Sequence, residues 1–123
     1  MLQGMLPPTI KQMIAVTIAM RNNCRYCTRL HSNALEAMGV PQEVIHSCAS
    51  DPDQIEVPPT QRAIIAFAIK TSQDPESVAD EDFQELRDSG LSDGEIMEVA
   101  MVANCENFLN TWSRLCQIRN DGE

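Results

Sequence analysis

Apolar residues recur along this chain at three- and four-residue intervals, and the breaks between the runs are proline, glycine and asparagine. Ile10, Met13, Ile14 and Ile18 follow Pro7-Pro8 at core spacing, which predicts a helix over 9–21 capped by Thr9. Asn22-Asn23 breaks the chain, and a second helix over 24–38 stops at Gly39, the usual residue just past a helix end. Pro41 suits the first turn of a third helix, over 41–49. Asp51-Pro52 and Pro58-Pro59 bound a loop, and Thr60 opens a fourth helix to residue 71. Asp80 or Glu81 opens a fifth that stops at Gly90. Ser92 with Glu95 forms a capping box for a long last helix ending near Ile118. No alternating β-branched run with hairpin turns interrupts the series, so the expected fold is all-α, a bundle of about six helices.

The pattern also echoes itself. PPTIKQMIAVTIAM at 7–20 and PPTQRAIIAFAIKT at 58–71 agree at six of fourteen positions. The same offset of 51 carries Leu35 onto Leu86, Gly39 onto Gly90, Ile45 onto Ile96 and Ala49 onto Ala100. Ten identities in 44 ungapped positions exceed the roughly three that background usage gives. Two units sharing caps and core spacing would explain this, and so would a duplicated three-helix unit. The second unit has Pro75, Val78 and Asp82 where the first has Cys24, Cys27 and His31. That architecture does not require those three residues.

Length sets one domain over 1–123, long enough to bury a core without disulfide or metal support. Eighteen acidic against nine basic side chains give a net charge of −9, which argues against nucleic acid or an anionic membrane as a partner. The charge is lopsided: residues 1–50 carry two acids, and residues 51–123 carry sixteen. The acidic part reads as a solvated face, leaving the near-neutral first part for chemistry. The apolar stretch at 13–20 is short and has no basic leader before it, so no targeting or spanning segment is expected and the default compartment is the cytoplasm. An odd count of five cysteines in a reducing compartment is not a disulfide scaffold, and most of them should be thiols.

The chemistry concentrates in CRYCTRLH. On a helix Cys24, Cys27 and His31 fall within about 60° of arc, so two sulfurs and an imidazole share a face. Cys24 sits at a helix N-terminus, where unpaired N–H groups favour an anion, and Arg21, Arg25 and Arg29 add positive potential. His31, one turn beyond Cys27, is placed to take the Cys27 proton or hold it in an ion pair. Three readings compete: a redox dithiol, a zinc site completed by Cys48 or His46, and a structurally packed pair. Haem attachment is excluded, because Thr28 rather than His follows the second cysteine. Cys48, Cys105 and Cys116 have no sequence-local base and read as packed or incidental; His46 reads as a surface or boundary residue. Phe108 and Trp112, four apart, read as core or a subunit contact.

With its polar break, C-Y-C spacing and trailing histidine, LPPTIKQMIAVTIAMRNNCRYCTRLHSNALEAMGV resembles the alkylhydroperoxidase AhpD / carboxymuconolactone decarboxylase superfamily. QRAIIAFAIK through DEDFQELRDSGLSDGEIMEVAMVANCENFLN is similar to the segment C-terminal to the cysteine helix in its peroxidase-related members. The resemblance implies a compact AhpD-like helical bundle assembling as a homo-trimer or homo-hexamer. It implies reduction of an organic hydroperoxide with no bound cofactor and no metal. Cys27 would attack, Cys24 resolve and His31 relay protons; a thiol donor, a dihydrolipoyl protein in the AhpD case, would restore the dithiol. Two positions depart from that pattern. Gln12 stands where the family's relay begins with a Glu, and Tyr26 where AhpD has a His between the cysteines. A neutral amide orients a hydrogen bond but is no base, so a non-peroxidatic dithiol oxidoreductase or redox sensor is the alternative. An oligomeric binding protein with an inert cysteine pair is a third.

Overall fold

Proline sets where this chain turns helical. A residue before proline is pushed to extended backbone, so in each Pro-Pro pair the first residue becomes the N-cap and the second starts the helix. Pro7 and Pro58 do this at ψ 145° and 154°. Thr9, expected as a cap, and Thr60, expected to open the fourth helix, therefore lie inside the first turn.

The computed structural model describes residues 6–116. Among them are six helices: α1 (Pro8–Arg21), α2 (Arg25–Ala37), α3 (Gln42–Ser47), α4 (Pro59–Gln73), α5 (Asp80–Asp88) and α6 (Asp93–Leu115). Two 3-10 turns, Pro52–Gln54 and Pro75–Ser77, join them, and no strand occurs among the described residues. The expected all-α bundle is what forms. Pro41 is the N-cap of α3 rather than a first-turn residue, and α3 stops at Ser47, short of the expected Ala49. Helix α6 starts at the expected Ser92–Glu95 capping box and ends at Leu115; Ile118 lies outside the described residues.

Three helices stop by one device. Asn23, Gly39 and Gly90 hold φ of +55°, +86° and +100°, and the next residue's N–H returns to a carbonyl five residues back. The returning bonds are Cys24 to Ala19, Val40 to Leu35 and Leu91 to Leu86, 3.0–3.1 Å. This is the left-handed helix stop that glycine, and to a lesser degree asparagine, tolerates.

Helix α1 is buried on most of its circumference and separates two apolar clusters. Ile10, Ile14 and Ile18 pack with Ile64, Phe67 and Ala68 of α4, Leu86 of α5, and Ile96, Val99 and Ala103 of α6. Met13 and Val16 pack with Leu35, Ile45, Cys48, Ile55 and Ile65. Each fully buried Ile or Leu contributes about 1.5–3 kcal/mol relative to exposure. Helix α2 is thinner in apolar content; only Cys27 and Leu35 are buried. Its first turn is therefore held to α1 by a small third cluster of Ala19, Cys24 and Cys27, with Tyr26 against it.

Candidate functional site

The α1–α2 junction builds the sulfur pair. Asn23 in the left-handed region ends α1, and Cys24 is both the residue returning its N–H to Ala19 and the N-cap of α2. Cys24 and Cys27 are joined as a disulfide with Cα atoms 5.3 Å apart, both sulfur residues nearly buried. Cys24 Sγ accepts the Cys27 N–H at 3.3 Å, so a sulfur performs the capping that a serine or aspartate oxygen usually performs. A sulfur placed there feels the positive end of the helix, and the charge favours Cys24 as an anion once the bond is opened.

His31 sits one turn beyond Cys27 on α2, with both ring nitrogens engaged. Nδ1 lies 2.8 Å from Gln12 Oε1 on α1, and Nε2 lies 3.1 Å from both carboxylate oxygens of Glu106 on α6. With Gln12 Oε1 facing the ring, the contact is a hydrogen bond when Nδ1 carries the proton. Nε2 and the carboxylate attract when a proton lies between them, so the pair is built to hold one. Glu106 is 4% exposed, and its Oε2 also accepts from Asn110 Nδ2 at 2.6 Å. In the disulfide form Cys27 has no thiol proton for His31 to take, and the ring bridges α1 and α6.

Glu106 is the residue that sequence reading missed. Its partner is 75 positions away, and nothing local marks it. A signal existed in periodicity: Val99, Val102, Ala103, Glu106, Asn110 and Ser113 share the buried side of α6, so an acid and an amide stand in an apolar stripe. Glu98, the other buried acid of α6, is matched to Lys11 Nζ at 2.9 Å and the Leu6 N–H at 2.8 Å, and ties the start of the chain to α6.

The other candidates fall elsewhere. Arg21, expected to raise the potential near Cys24, turns to the carbonyls of Cys48 (3.0 Å) and Ser50 (2.7 Å). Burial lowers its guanidinium from the ordinary value, with Cys48 and Asp51 opposing. Arg25 and Arg29 remain exposed. Cys48 packs in the second apolar cluster, where burial pushes its thiol up, so it stays protonated and unreactive. His46 is exposed. Neither joins the sulfur pair as the fourth ligand a zinc site would need, and no three His, Cys, Asp or Glu side chains among the described residues converge on a metal position. Cys105 and Cys116 are exposed, as are the stacked rings of Phe108 and Trp112, 6.4 Å apart.

Comparison with known proteins agrees with this architecture. Residues 1–51 match the carboxymuconolactone decarboxylase family. The solved structure of an alkylhydroperoxidase AhpD core, an uncharacterized peroxidase-related protein from Ralstonia eutropha JMP134, superposes with a TM-score of 0.89 at 27% identity. It covers 98% of this chain and 64% of its own. An uncharacterized peroxidase-related protein from Silicibacter sp. TM1040 superposes equally well, with a TM-score of 0.89 at 22% identity, over 98% of this chain and 63% of that one. The chain thus spans less than two thirds of the length of either relative. No curated protein matches it. The resemblance read from the sequence is borne out, in sequence over the residues that carry the C-x-x-C pair and in fold over nearly the whole chain. No helix among the described residues is long and apolar enough to cross a membrane.

Proposed function

We propose that this protein is a thiol-dependent peroxidase that reduces organic hydroperoxides through a Cys24–Cys27 dithiol/disulfide cycle. The observation that carries the reading is the disulfide at the head of α2 with His31 on the same helix, braced by Gln12 and Glu106. In the reduced protein the Cys27 thiolate attacks the terminal oxygen of ROOH. An S–O bond forms, the O–O bond breaks, and the departing alkoxide takes a proton held by the His31–Glu106 pair, leaving ROH and a Cys27 sulfenic acid. Cys24 then attacks the Cys27 sulfur; the S–S bond forms and hydroxide leaves as water. The dithiol supplies both electrons, and an external dithiol, a dihydrolipoyl protein by resemblance, restores it. Its attack on Cys27 expels Cys24 as a thiolate, and the N-cap position makes Cys24 the better leaving group.

Under this reading Gln12 orients the ring and Glu106 supplies the acid, from the opposite nitrogen and another helix. The assembly implied by resemblance, a homo-trimer or homo-hexamer, has an available surface on α6. Met101, Cys105, Phe108, Trp112 and Leu115 are exposed there at alternating four- and three-residue spacing. A reducing compartment, the cytoplasm, suits a cycle that must return to the dithiol.

The test is a free-thiol count on the reduced protein before and after one equivalent of tert-butyl hydroperoxide, with lost thiols mapped by mass spectrometry. Two thiols lost as a Cys24–Cys27 disulfide support the reading; none lost refutes it. A second reading, a dithiol oxidoreductase that exchanges with protein dithiols but ignores peroxide, is favoured by the burial of both sulfur residues, 2% and 4% exposed, and by Gln12. It predicts disulfide formation with an oxidised dithiol and none with hydroperoxide.

A further inference from the structure

Behind Glu106 lies a row of amides whose direction is uniform. Asn110, one turn further along α6 and 0% exposed, donates from Nδ2 to Glu106 Oε2 at 2.6 Å. Its Oδ1 accepts from Asn22 Nδ2 at 3.0 Å. Asn22 Nδ2 also reaches Asn107 Oδ1 at 2.6 Å, and Gln73 Nε2 donates to Asn22 Oδ1 (3.3 Å) and Asn107 Oδ1 (3.1 Å). The Asn107 amide nitrogen is committed to the Ser72 carbonyl at 2.8 Å. From Gln73 through Asn22 and Asn110 to Glu106, each amide presents its oxygen outward and its nitrogen toward the carboxylate.

A carboxamide can be turned over by half a rotation, exchanging donor for acceptor at almost no change in shape. Asn110 could therefore face Glu106 with its oxygen, which would set two acceptors against each other. Asn22 prevents this by occupying the Asn110 oxygen. Asn22 is the C-cap of α1, two residues before Cys24, so the turn that positions the sulfurs also orients the amide that holds the acid.

We infer that Asn110 is a positioning residue, held by Asn22, that turns the Glu106 carboxylate onto His31 Nε2. This rests on the reading in which the His31–Glu106 pair serves Cys27. Glutamate has three side-chain torsions, and an acid displaced by an ångström no longer meets the ring. Loss of Asn110 should therefore act through Glu106 and not beyond it.

The experiment uses protein labelled with ¹⁵N-histidine. The chain has two histidines, and His46 lies exposed on α3, so it serves as an internal control. The His31 Nε2 resonance is compared in wild type, Glu106→Gln, Asn110→Leu and Asn110→Leu/Glu106→Gln. The expected result is that Asn110→Leu moves His31 Nε2 by more than half the displacement seen in Glu106→Gln. The double variant should match Glu106→Gln, and His46 should stay in place. Asn22→Ser, on the partly exposed turn, gives a smaller displacement in the same direction and substitutes if Asn110→Leu fails to fold. A His31 resonance unmoved by either amide variant while Glu106→Gln moves it overturns the inference, as does a His31 resonance that Glu106→Gln itself leaves unmoved. In parallel, Asn110→Leu should slow hydroperoxide-driven disulfide formation by about tenfold, and add nothing once Glu106 is Gln. If wild type forms no disulfide with hydroperoxide, the peroxidase reading fails, and the ring resonances still decide whether Asn110 orients the acid.

Discussion

The first three helices and the last three obey the same local rules and end in different chemistry. Helices α1 and α4 begin 51 residues apart on equivalent Pro-Pro pairs, and α3 and α6 begin 51 apart as well. Gly39 and Gly90 stop the middle helices with the same left-handed turn, below the equivalent buried leucines 35 and 86. The departure comes between the first two helices of each unit. Asn23 and Cys24 lead straight into α2, whereas Asp74 leads into the 3-10 turn Pro75–Ser77 and α5 starts only at Asp80. Asp82, the counterpart of His31, accepts the Ala79 N–H at 2.8 Å and pairs with Lys70 at 3.0 Å. It closes a helix end where His31 bridges three helices. Repeated positions thus carry the scaffold, and the positions that break the repeat carry the site. The third helices break it too: α3 has 6 residues and α6 has 23, and the extra turns bring Glu106 across to the first unit.

That contrast can be broken at four places. The largest effect belongs to the sulfurs: Cys27→Ser should abolish hydroperoxide-driven disulfide formation. Val78→Ala at the equivalent position should leave it intact at a cost of about 1 kcal/mol in stability, both read by thiol titration and urea unfolding. Next come the shared leucines. Leu35→Ala and Leu86→Ala remove side chains that are 0% and 1% exposed, and each should cost about 2–5 kcal/mol in urea unfolding. Similar costs sustain the equivalence, and a silent Leu86→Ala breaks it.

Asp82 supplies a smaller, pH-dependent effect. The Ala79 N–H and Lys70 hold its carboxyl below the ordinary value. An acid lowered on folding stabilises above its unfolded pKa, and that stability fades as pH falls through the folded one. Asp82→Asn should therefore lower Tm at pH 7, by about 0.5–1 kcal/mol in stability, and the gap between the two proteins should close in strong acid. Thermal melts across pH check it. The smallest effect is expected at Gln12: because Glu106 already provides an acid, Gln12→Glu should raise the rate of disulfide formation by less than about threefold, whereas a crippled relay would gain about a hundredfold.

Helix starts and stops were legible because their signals are local: Pro-Pro pairs, Asn22-Asn23, Gly39, Gly90 and the Ser92–Glu95 box act within one turn. The Cys24, Cys27 and His31 constellation was legible for the same reason, lying within two turns of one helix. The Thr9 hydroxyl marks a cap by composition, but proline fixes its predecessor's backbone, and that moves the helix start back to Pro8, as it moves the fourth helix back from Thr60 to Pro59. Glu106 and Asn110 were not legible as site residues because their partners come from α1 and α2. Only packing reveals that their face of α6 meets His31 rather than solvent. The opposite face of α6, with Phe108 and Trp112 exposed, shows the same limit, since helical spacing marks an apolar stripe without naming what covers it.

The central claim is that the first unit supplies the sulfurs and the second supplies the acid. The most direct measurement is the rate at which one equivalent of tert-butyl hydroperoxide converts reduced protein to the Cys24–Cys27 disulfide, in wild type and in Glu106→Gln. The account predicts the same disulfide in both, formed at least about tenfold more slowly without the carboxylate. Equal rates would contradict it, and would return Glu106 to a role in packing α6 against α2.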